Sequence, residues 1–231
     1  MSMATTPASP PSPGRAPSLM VVLGLLLTTP GISAAQVELS VGGGLYVPTT
    51  TVGKLDRGTE LSVTRLSWCH ETAAHLSGRL TVWVTHQFGV ETAVSYSWSN
   101  VKRKEDQGSY VLTLGEEDGA VLAATGRAVW RFGGRSGLPA FHLLVGLGII
   151  TRSGNAYEDF AGTTDPTAVV GSGLSVTIGP NLLLRFDVED YIYPAEIKIL
   201  GQPTVRGRAE TSLGSHVQND LAISQTVVLE L

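Results

Sequence analysis

Cysteine, charge and long apolar runs are all scarce in this chain of 231 residues. The single cysteine, Cys69, excludes an internal disulfide framework. Charged residues make up 16% of the chain and the net charge is −4, so there is no basic surface of the kind that binds nucleic acid. After residue 30 no run approaches the roughly 18 consecutive apolar residues of a membrane-spanning helix. A chain whose apolar residues alternate with polar ones is not excluded, because strands need no such run.

The one strong apolar run, LMVVLGLLL at residues 19–27, lies near the start of the chain. Arg15 precedes it, and small residues follow it up to Ala35. A weak positive region, a short apolar core and a small-residue cleavage site are the parts of a secretory signal. The run is too short to be a membrane anchor. We therefore predict a signal peptide at residues 1–35 and a mature domain at residues 36–231.

Apolar residues recur at every second position along most of the mature chain. This is the period of a β-strand that has one apolar face. The predicted strands cover residues 37–47, 79–85, 88–98, 119–132, 138–152, 167–178, 181–194 and 219–231. Most are about 10 to 14 residues long, which is long for a soluble sheet and suits tilted strands that cross a bilayer.

The connections between these strands alternate in length. Long polar segments follow the first, third, fifth and seventh strands, at residues 48–75, 99–118, 153–166 and 194–218. Tight turns of a few residues follow the second, fourth and sixth strands. Strict alternation of long and short connections is typical of an outer-membrane barrel, with long loops outside and short turns in the periplasm. The sequence therefore predicts an all-β, eight-stranded antiparallel up-and-down transmembrane β-barrel.

Charged residues occupy the face opposite the apolar stripe. In the stretch 181–194, for example, Phe186 and Val188 are predicted to face lipid, and their neighbours face the lumen. An eight-stranded barrel is too narrow for an open aqueous pore, so side chains fill it, and buried charges there must pair. Inward glycines leave room for long side chains. We predict a lumen charge network formed by Glu38, Arg79, Glu91, Arg127, Arg131, Arg185, Asp187 and Glu189.

Aromatic residues stand near several strand ends on the apolar face. Such rings suit an interfacial girdle at the level of the lipid headgroups. The residues predicted to form the girdle are Tyr46, Phe88, Trp98, Trp130 and Phe132.

The segments GRLTVWVTHQFGVETAVSYSW (78–98) and LLLRFDVEDYI (182–192) resemble strands of the small outer-membrane β-barrel family. This is the group around the transmembrane domain of outer-membrane protein A and the opacity-type porins. The resemblance implies residence in a bacterial outer membrane as a monomer, with outer-membrane lipid and the barrel assembly machinery as partners. Members usually end in an aromatic residue, whereas this chain ends in Leu231.

Four functions are open at this point. The leading hypothesis is a structural or interaction barrel with an occluded lumen and outer loops that bind an extracellular partner. The second is a small-solute channel, and the third is a lipid-modifying hydrolase built around His142. A triad needs a nucleophile, a base and an orienting group together, and no serine stands two positions from His142, so we expect no enzymatic activity. The fourth, a soluble lipocalin-type barrel, would need an apolar interior.

The sequence gives no clear metal or cofactor site. Cys69, His70 and His75 are the only candidates for a zinc site, and they lack a fourth ligand. We therefore expect neither a metal nor a cofactor.

Overall fold

A computed structural model describes residues 36–49, 53–59, 62–106, 111–134, 138–158, 160–161, 163–204 and 207–231. The predicted signal peptide, residues 1–35, lies outside these residues. The strands are β1 (Gln36–Pro48), β2 (Gly53–Thr59), β3 (Ser62–His70), β4 (Ala73–Trp83), β5 (Phe88–Asp106), β6 (Val111–Gly133), β7 (Ala140–Ser153), β8 (Phe160–Ala161), β9 (Thr164–Gly179), β10 (Leu182–Thr204) and β11 (Gly207–Glu230). A 3-10 helix covers Asn155–Tyr157. In this part of the chain, no helix combines the length and apolar character needed to span a membrane.

Eight of the strands form a closed ring. Its order is β1, β4, β5, β6, β7, β9, β10 and β11, and every neighbouring pair is antiparallel. Closure occurs between β1 and β11, where Leu39 pairs with Leu229 and Val47 pairs with Leu221. Closure leaves no open sheet edge around the ring. The predicted eight-stranded antiparallel up-and-down barrel fold is confirmed.

The two faces of the ring carry opposite chemistry. Large apolar side chains point outward and are exposed, as at Val41 (62%) and Leu147 (73%). Polar and charged side chains point inward and are buried, as at Glu91 (0%) and Thr226 (0%). This is the inverse of a water-soluble protein, where apolar residues fill the interior. The apolar residues that recur at every second position therefore form the outer wall, and the residues between them line a polar lumen.

The two ends of the ring differ. At the turn end, β4 joins β5 through residues 84–87, β6 joins β7 through 134–139, and β9 joins β10 through 180–181. Gly133 (φ 84°) and Gly134 (φ 79°) take left-handed backbone conformations at the second of these connections. A side chain would strain the backbone there, which explains the glycine pair. The other end, called the long-loop end here, carries the remaining connections.

At the long-loop end the chain forms more strand than the sequence indicated. Two of the four segments read as long polar loops, 99–118 and 194–218, consist largely of extensions of β5, β6, β10 and β11. The segment 48–75 contains the β2–β3 hairpin, and β3 pairs with the extended part of β5. Alternation is imposed where one face of a strand is apolar. Outside the apolar band that constraint is absent, so these strands continue without the pattern.

Candidate functional site

The centre of the lumen holds a layer of arginines and carboxylates, and Arg79 on β4 binds two of the acids. Its Nη1 lies 2.6 Å from Asp187 Oδ2, and its Nη2 lies 2.9 Å from Glu189 Oε1. Nη2 also donates to Ser224 Oγ at 3.0 Å. All four side chains are buried. A planar guanidinium can serve several acceptors at once, which a lysine ammonium on this strand could not do in the same geometry.

Arg127 on β6 completes the link between the two sides of the layer. It stands directly opposite Glu91 in the β5–β6 register, and its Nη1 lies 3.2 Å from Glu91 Oε1 and 2.8 Å from Glu189 Oε1. Its Nη2 donates to the Tyr191 hydroxyl at 2.8 Å. The neighbour of Arg127 on β7 is Gly146, where a Cβ would come within 2.7 Å of Arg127 Cγ. The glycine therefore gives the arginine its room.

Arg185 on β10 spans the full width of the lumen. Its Nη1 lies 3.0 Å from Glu91 Oε2, and its Nε lies 2.9 Å from Asp187 Oδ1 on its own strand. Because β5 and β10 occupy opposite positions in the ring of eight, the Arg185–Glu91 pair crosses from wall to wall. Thr81 adds a hydroxyl that donates to Glu91 Oε2 at 2.9 Å.

Toward the turn end, a second and smaller group closes the lumen. Arg131 Nη1 lies 3.1 Å from Glu38 Oε1, so β6 is tied to β1. The Arg131 guanidinium carbon lies 4.1 Å from the centre of the Trp83 ring, within cation–π distance. His142 packs beside Trp83, with 6.3 Å between ring centres. All eight charged residues singled out in the sequence thus lie inside the ring and pair with one another.

Toward the long-loop end, the lumen is filled by a layer that the sequence interpretation missed. The hydroxyls of Tyr46 and Tyr193 both donate to Asp220, and Arg152 pairs with Asp165. The Arg152 guanidinium carbon also lies 5.2 Å from the centre of the Tyr193 ring. Asp165 lies in a segment read as a loop, and the other residues stand at strand ends. Tyr46 and Asp220 alternate with apolar residues along their strands, and this alternation could have placed both side chains in the lumen.

The assignment of Tyr46 to an outward-facing aromatic girdle was wrong. Tyr46 is 2% exposed and points into the lumen, because it alternates with Leu45, which faces outward. Its hydroxyl needs a partner when buried, and Asp220 provides it. Trp98, Trp130 and Phe132 do lie on the outer wall, and the partly exposed Phe88 packs on Trp130 with 5.3 Å between ring centres.

The 3-10 helix that follows β7 packs against β6 and β7 at the long-loop end and is called the cap here. The cap is Asn155–Tyr157, and both Ala156 and Tyr157 are buried. The Tyr157 hydroxyl bonds to His70 Nε2, while His70 Nδ1 bonds to Ser99 Oγ at 3.0 Å. The pKa of His70 is lowered from 6.5 to about 4, mainly by burial and to a smaller extent by the nearby positive charge of Arg152. The cap is therefore held by a neutral histidine.

The residues considered for zinc do not assemble into a metal site. Within the described parts of the chain, no three His, Cys, Asp or Glu side chains are grouped so that they could hold a metal ion. His70 and His75 each bond a serine, Ser99 and Ser97 respectively, and Cys69 is a free, half-buried thiol. His142, the histidine around which a hydrolase was considered, is buried in the lumen.

The sequence matches no known protein family and no curated protein. Solved structures do match the fold. The outer-membrane protein OprG from Pseudomonas aeruginosa has a TM-score of 0.60 at 13% identity, with 85% of this chain and 96% of that chain covered. The outer-membrane protein AlkL has a TM-score of 0.55 at 16% identity, with 95% and 97% covered. The chain has the fold of an outer-membrane β-barrel. The narrower resemblance to outer-membrane protein A and the opacity-type porins stays a prediction.

The expectation that this barrel is not an enzyme is corrected by a further structural match. The outer-membrane protease OmpT from Escherichia coli matches at a TM-score of 0.45 and 9% identity, with 88% of this chain and 99% of that chain covered. A protease among the matched structures means that the absence of enzymatic activity does not follow from this kind of barrel. At that TM-score, the match assigns no activity to this chain.

Proposed function

We propose that the chain is an integral β-barrel protein of a bacterial outer membrane, with a closed lumen and with its biological role carried by the strands at the long-loop end. The observation that carries this proposal is the pairing of an apolar outer wall with a charge-filled lumen. In water, so much exposed apolar surface would drive aggregation, whereas in lipid it is the stable arrangement. The closed ring satisfies the backbone hydrogen bonds that lipid cannot satisfy.

Three successive layers support a closed lumen. From the turn end they are the Arg131–Glu38 pair, the central Arg79–Arg127–Arg185 layer with its carboxylates, and the Tyr46–Tyr193–Asp220 group. Each charged group in the central layer has an opposite charge at hydrogen-bond distance. Opening a solute path would require several of these buried pairs to separate together, which is costly in a low-dielectric interior.

The long-loop end supports a role in interaction. There β5, β6, β10 and β11 extend the barrel wall beyond the ring contacts, and β2 and β3 add a hairpin beside β5. We expect these strands to bind an extracellular partner, as exposed loops on rigid scaffolds commonly do. Outer-membrane lipid and the barrel assembly machinery are the other expected partners. We expect a monomer, because the ring has no free edge for a second copy to join.

Two measurements test this proposal. Folded barrels resist detergent and migrate differently in gels before and after heating, so the mature chain refolded in lipid should show heat-modifiable migration and should stay with the membrane fraction. In planar bilayers the same preparation should give no steady open current. Recovery of the folded chain in the aqueous fraction would contradict membrane residence, and a steady current would contradict the closed lumen.

A small-solute channel is the second candidate, and one observation favours it. A cavity of about 770 Å³ opens at the turn end and is lined by Arg131, Ser175 and Thr177 among others. Its lining residue Arg131 pairs with Glu38, so this pair is one of the barriers between the cavity and the central layer. If the lumen conducts, Arg131→Gln should raise the current, because it removes the first barrier on the path. No change in current would count against this candidate.

A further inference from the structure

The turn-end cavity, of about 770 Å³, has the size of a small-molecule site. Its lining mixes polar and apolar residues, and the apolar ones include Leu138, Pro139 and Leu183. The Arg131 side chain is among the polar ones. Ligand pockets combine apolar surface with a few placed polar groups.

The Arg131 guanidinium is held in place before any ligand arrives. Its Nη1 donates to Glu38 at 3.1 Å, its Nε donates to the His86 carbonyl oxygen at 3.3 Å, and its carbon sits 4.1 Å from the Trp83 ring centre. Its Nη2 has no partner among the residues that the structure describes. A donor fixed in this way binds an acceptor with little loss of side-chain entropy.

Two buried polar atoms without partners lie next to the cavity lining. Arg185 is the register partner of the lining residue Ser175, and His142 is the register partner of Arg131. Arg185 is 2% exposed and His142 is 3% exposed, yet Arg185 Nη2 and His142 Nδ1 have no hydrogen-bond partner in the described chain. Buried polar atoms are nearly always satisfied, so the Arg185 Nη2 donor indicates a missing acceptor in the lumen next to the cavity lining, and His142 Nδ1 indicates a missing polar partner there.

We propose that the turn-end cavity binds a small organic carboxylate, with the carboxylate at Arg131 and the apolar body against Leu138, Pro139 and Leu183. A guanidinium recognises a carboxylate through paired hydrogen bonds, and the apolar lining residues accept the rest of the molecule. The acid among the described lining residues is Glu230. Glu38 is engaged by Arg131 Nη1, and Arg131 Nη2 is the donor left for a ligand. This chemistry selects a carboxylate over an amine of the same shape.

The test uses benzoate as the probe and benzylamine as a cation of the same shape, with the mature barrel in lipid nanodiscs. The indole resonance of Trp83 reports binding, because Trp83 lies directly under the Arg131 guanidinium. We expect a saturable shift with benzoate, and binding of benzylamine at least tenfold weaker. Equal binding of the two probes, or no saturable shift with benzoate, would overturn the proposal.

Three variants locate the site. Arg131→Gln should weaken benzoate binding at least tenfold, whereas Arg103→Gln, at an exposed arginine in the outer part of β5, should leave it unchanged. Leu138→Glu places a negative charge on the cavity lining at a residue that is 67% exposed, so it should weaken binding without affecting the fold. If Arg131→Gln fails to fold, as judged by heat-modifiable migration, Leu138→Glu still decides. Unchanged benzoate affinity in Leu138→Glu would overturn the proposal, whether or not the lumen conducts.

Discussion

The centre of the lumen and its long-loop end are both packed with polar side chains, but they are built from different chemistry. At the centre, arginines bind carboxylates through several hydrogen bonds each, as Arg127 does with Glu91 and Glu189. At the long-loop end, neutral hydroxyl and imidazole groups provide most contacts, as in the bonds from Tyr46 and Tyr193 to Asp220. The central layer is built around arginines, which keep their proton at any ordinary pH, while the long-loop end includes a histidine, the residue whose charge changes most readily near neutral pH.

The difference assigns separate roles to the two regions. Removal of one member of the central layer leaves an opposite charge buried without a partner, which is severely destabilising. A change at the long-loop end removes a hydrogen bond or releases the cap, and the ring below can persist. We therefore expect global effects from the centre and local effects from the long-loop end.

Glu189→Gln should have the largest effect. Glu189 binds both Arg79 and Arg127, so the change leaves two buried guanidinium groups short of an acceptor charge. We expect a loss of roughly 3 to 5 kcal/mol in the free energy of unfolding, measured by urea titration in lipid vesicles. Glu71→Gln is the matched control, since Glu71 pairs with the partly exposed Lys102. Similar losses in the two variants would remove the distinction between the regions.

Acidification should favour release of the cap. Once the cap opens, His70 regains a pKa near 6.5, so between pH 6.5 and about 4 the released histidine binds a proton that the buried one does not. Lowering the pH through this window favours release by up to about 3 kcal/mol, and below it no further change is expected. Hydrogen exchange at the Tyr157 amide measures the opening. His70→Gln should abolish this pH dependence, and its persistence would show that another group controls the cap.

Tyr193→Phe should have a smaller effect than Glu189→Gln. It deletes one of two hydroxyls that donate to Asp220, and Tyr46 still provides the other. We expect a loss of about 2 kcal/mol in the same unfolding titration, because the acceptor is a carboxylate. Tyr96→Phe is the control, since Tyr96 packs edge-on against the outward-facing Trp98. A loss in unfolding free energy as large as that of Glu189→Gln would show that changes at the long-loop end destabilise the whole barrel.

Glu71→Gln should have the smallest effect. The Lys102–Glu71 pair has an N–O distance of 2.5 Å, but both side chains are about one-third exposed. Exposed pairs contribute about 1 kcal/mol or less and are screened by salt. We expect the smallest change of the series, and we expect it to disappear in 1 M salt. A larger change that persists in 1 M salt would show that this outer pair contributes to stability as the pairs of the central layer do.

The fold was predictable from the sequence because lipid-facing strands must alternate. Leu182, Leu184, Phe186 and Val188 could be placed on one face of β10, and the charges between them on the other, from position alone. Tyr46 was placed on the wrong face because its aromatic character was weighed above its parity. Arg152 and Asp165 escaped notice because they lie where the apolar band ends and the alternation fades.

Pairing across the lumen was not predictable in the same way. The β5–β6 register that puts Arg127 opposite Glu91 is a local property of two neighbouring strands. The contact between Arg185 and Glu91 depends instead on how many strands separate β5 from β10 around the ring, and on their stagger. The 3-10 cap and the β2–β3 hairpin likewise depend on contacts with distant segments that have no periodic signature.

The central layer also constrains the order in which the molecule can be assembled. Strands β4, β5 and β6 contribute two arginines and one glutamate, a net charge of +1, and β10 contributes one arginine and two acids, a net charge of −1. Each half of the chain therefore carries an uncompensated interior charge until the other half arrives. A chain interrupted before β10 could not close a neutral lumen. The interior charges of the two halves therefore cancel only when β10 has assembled with β4, β5 and β6.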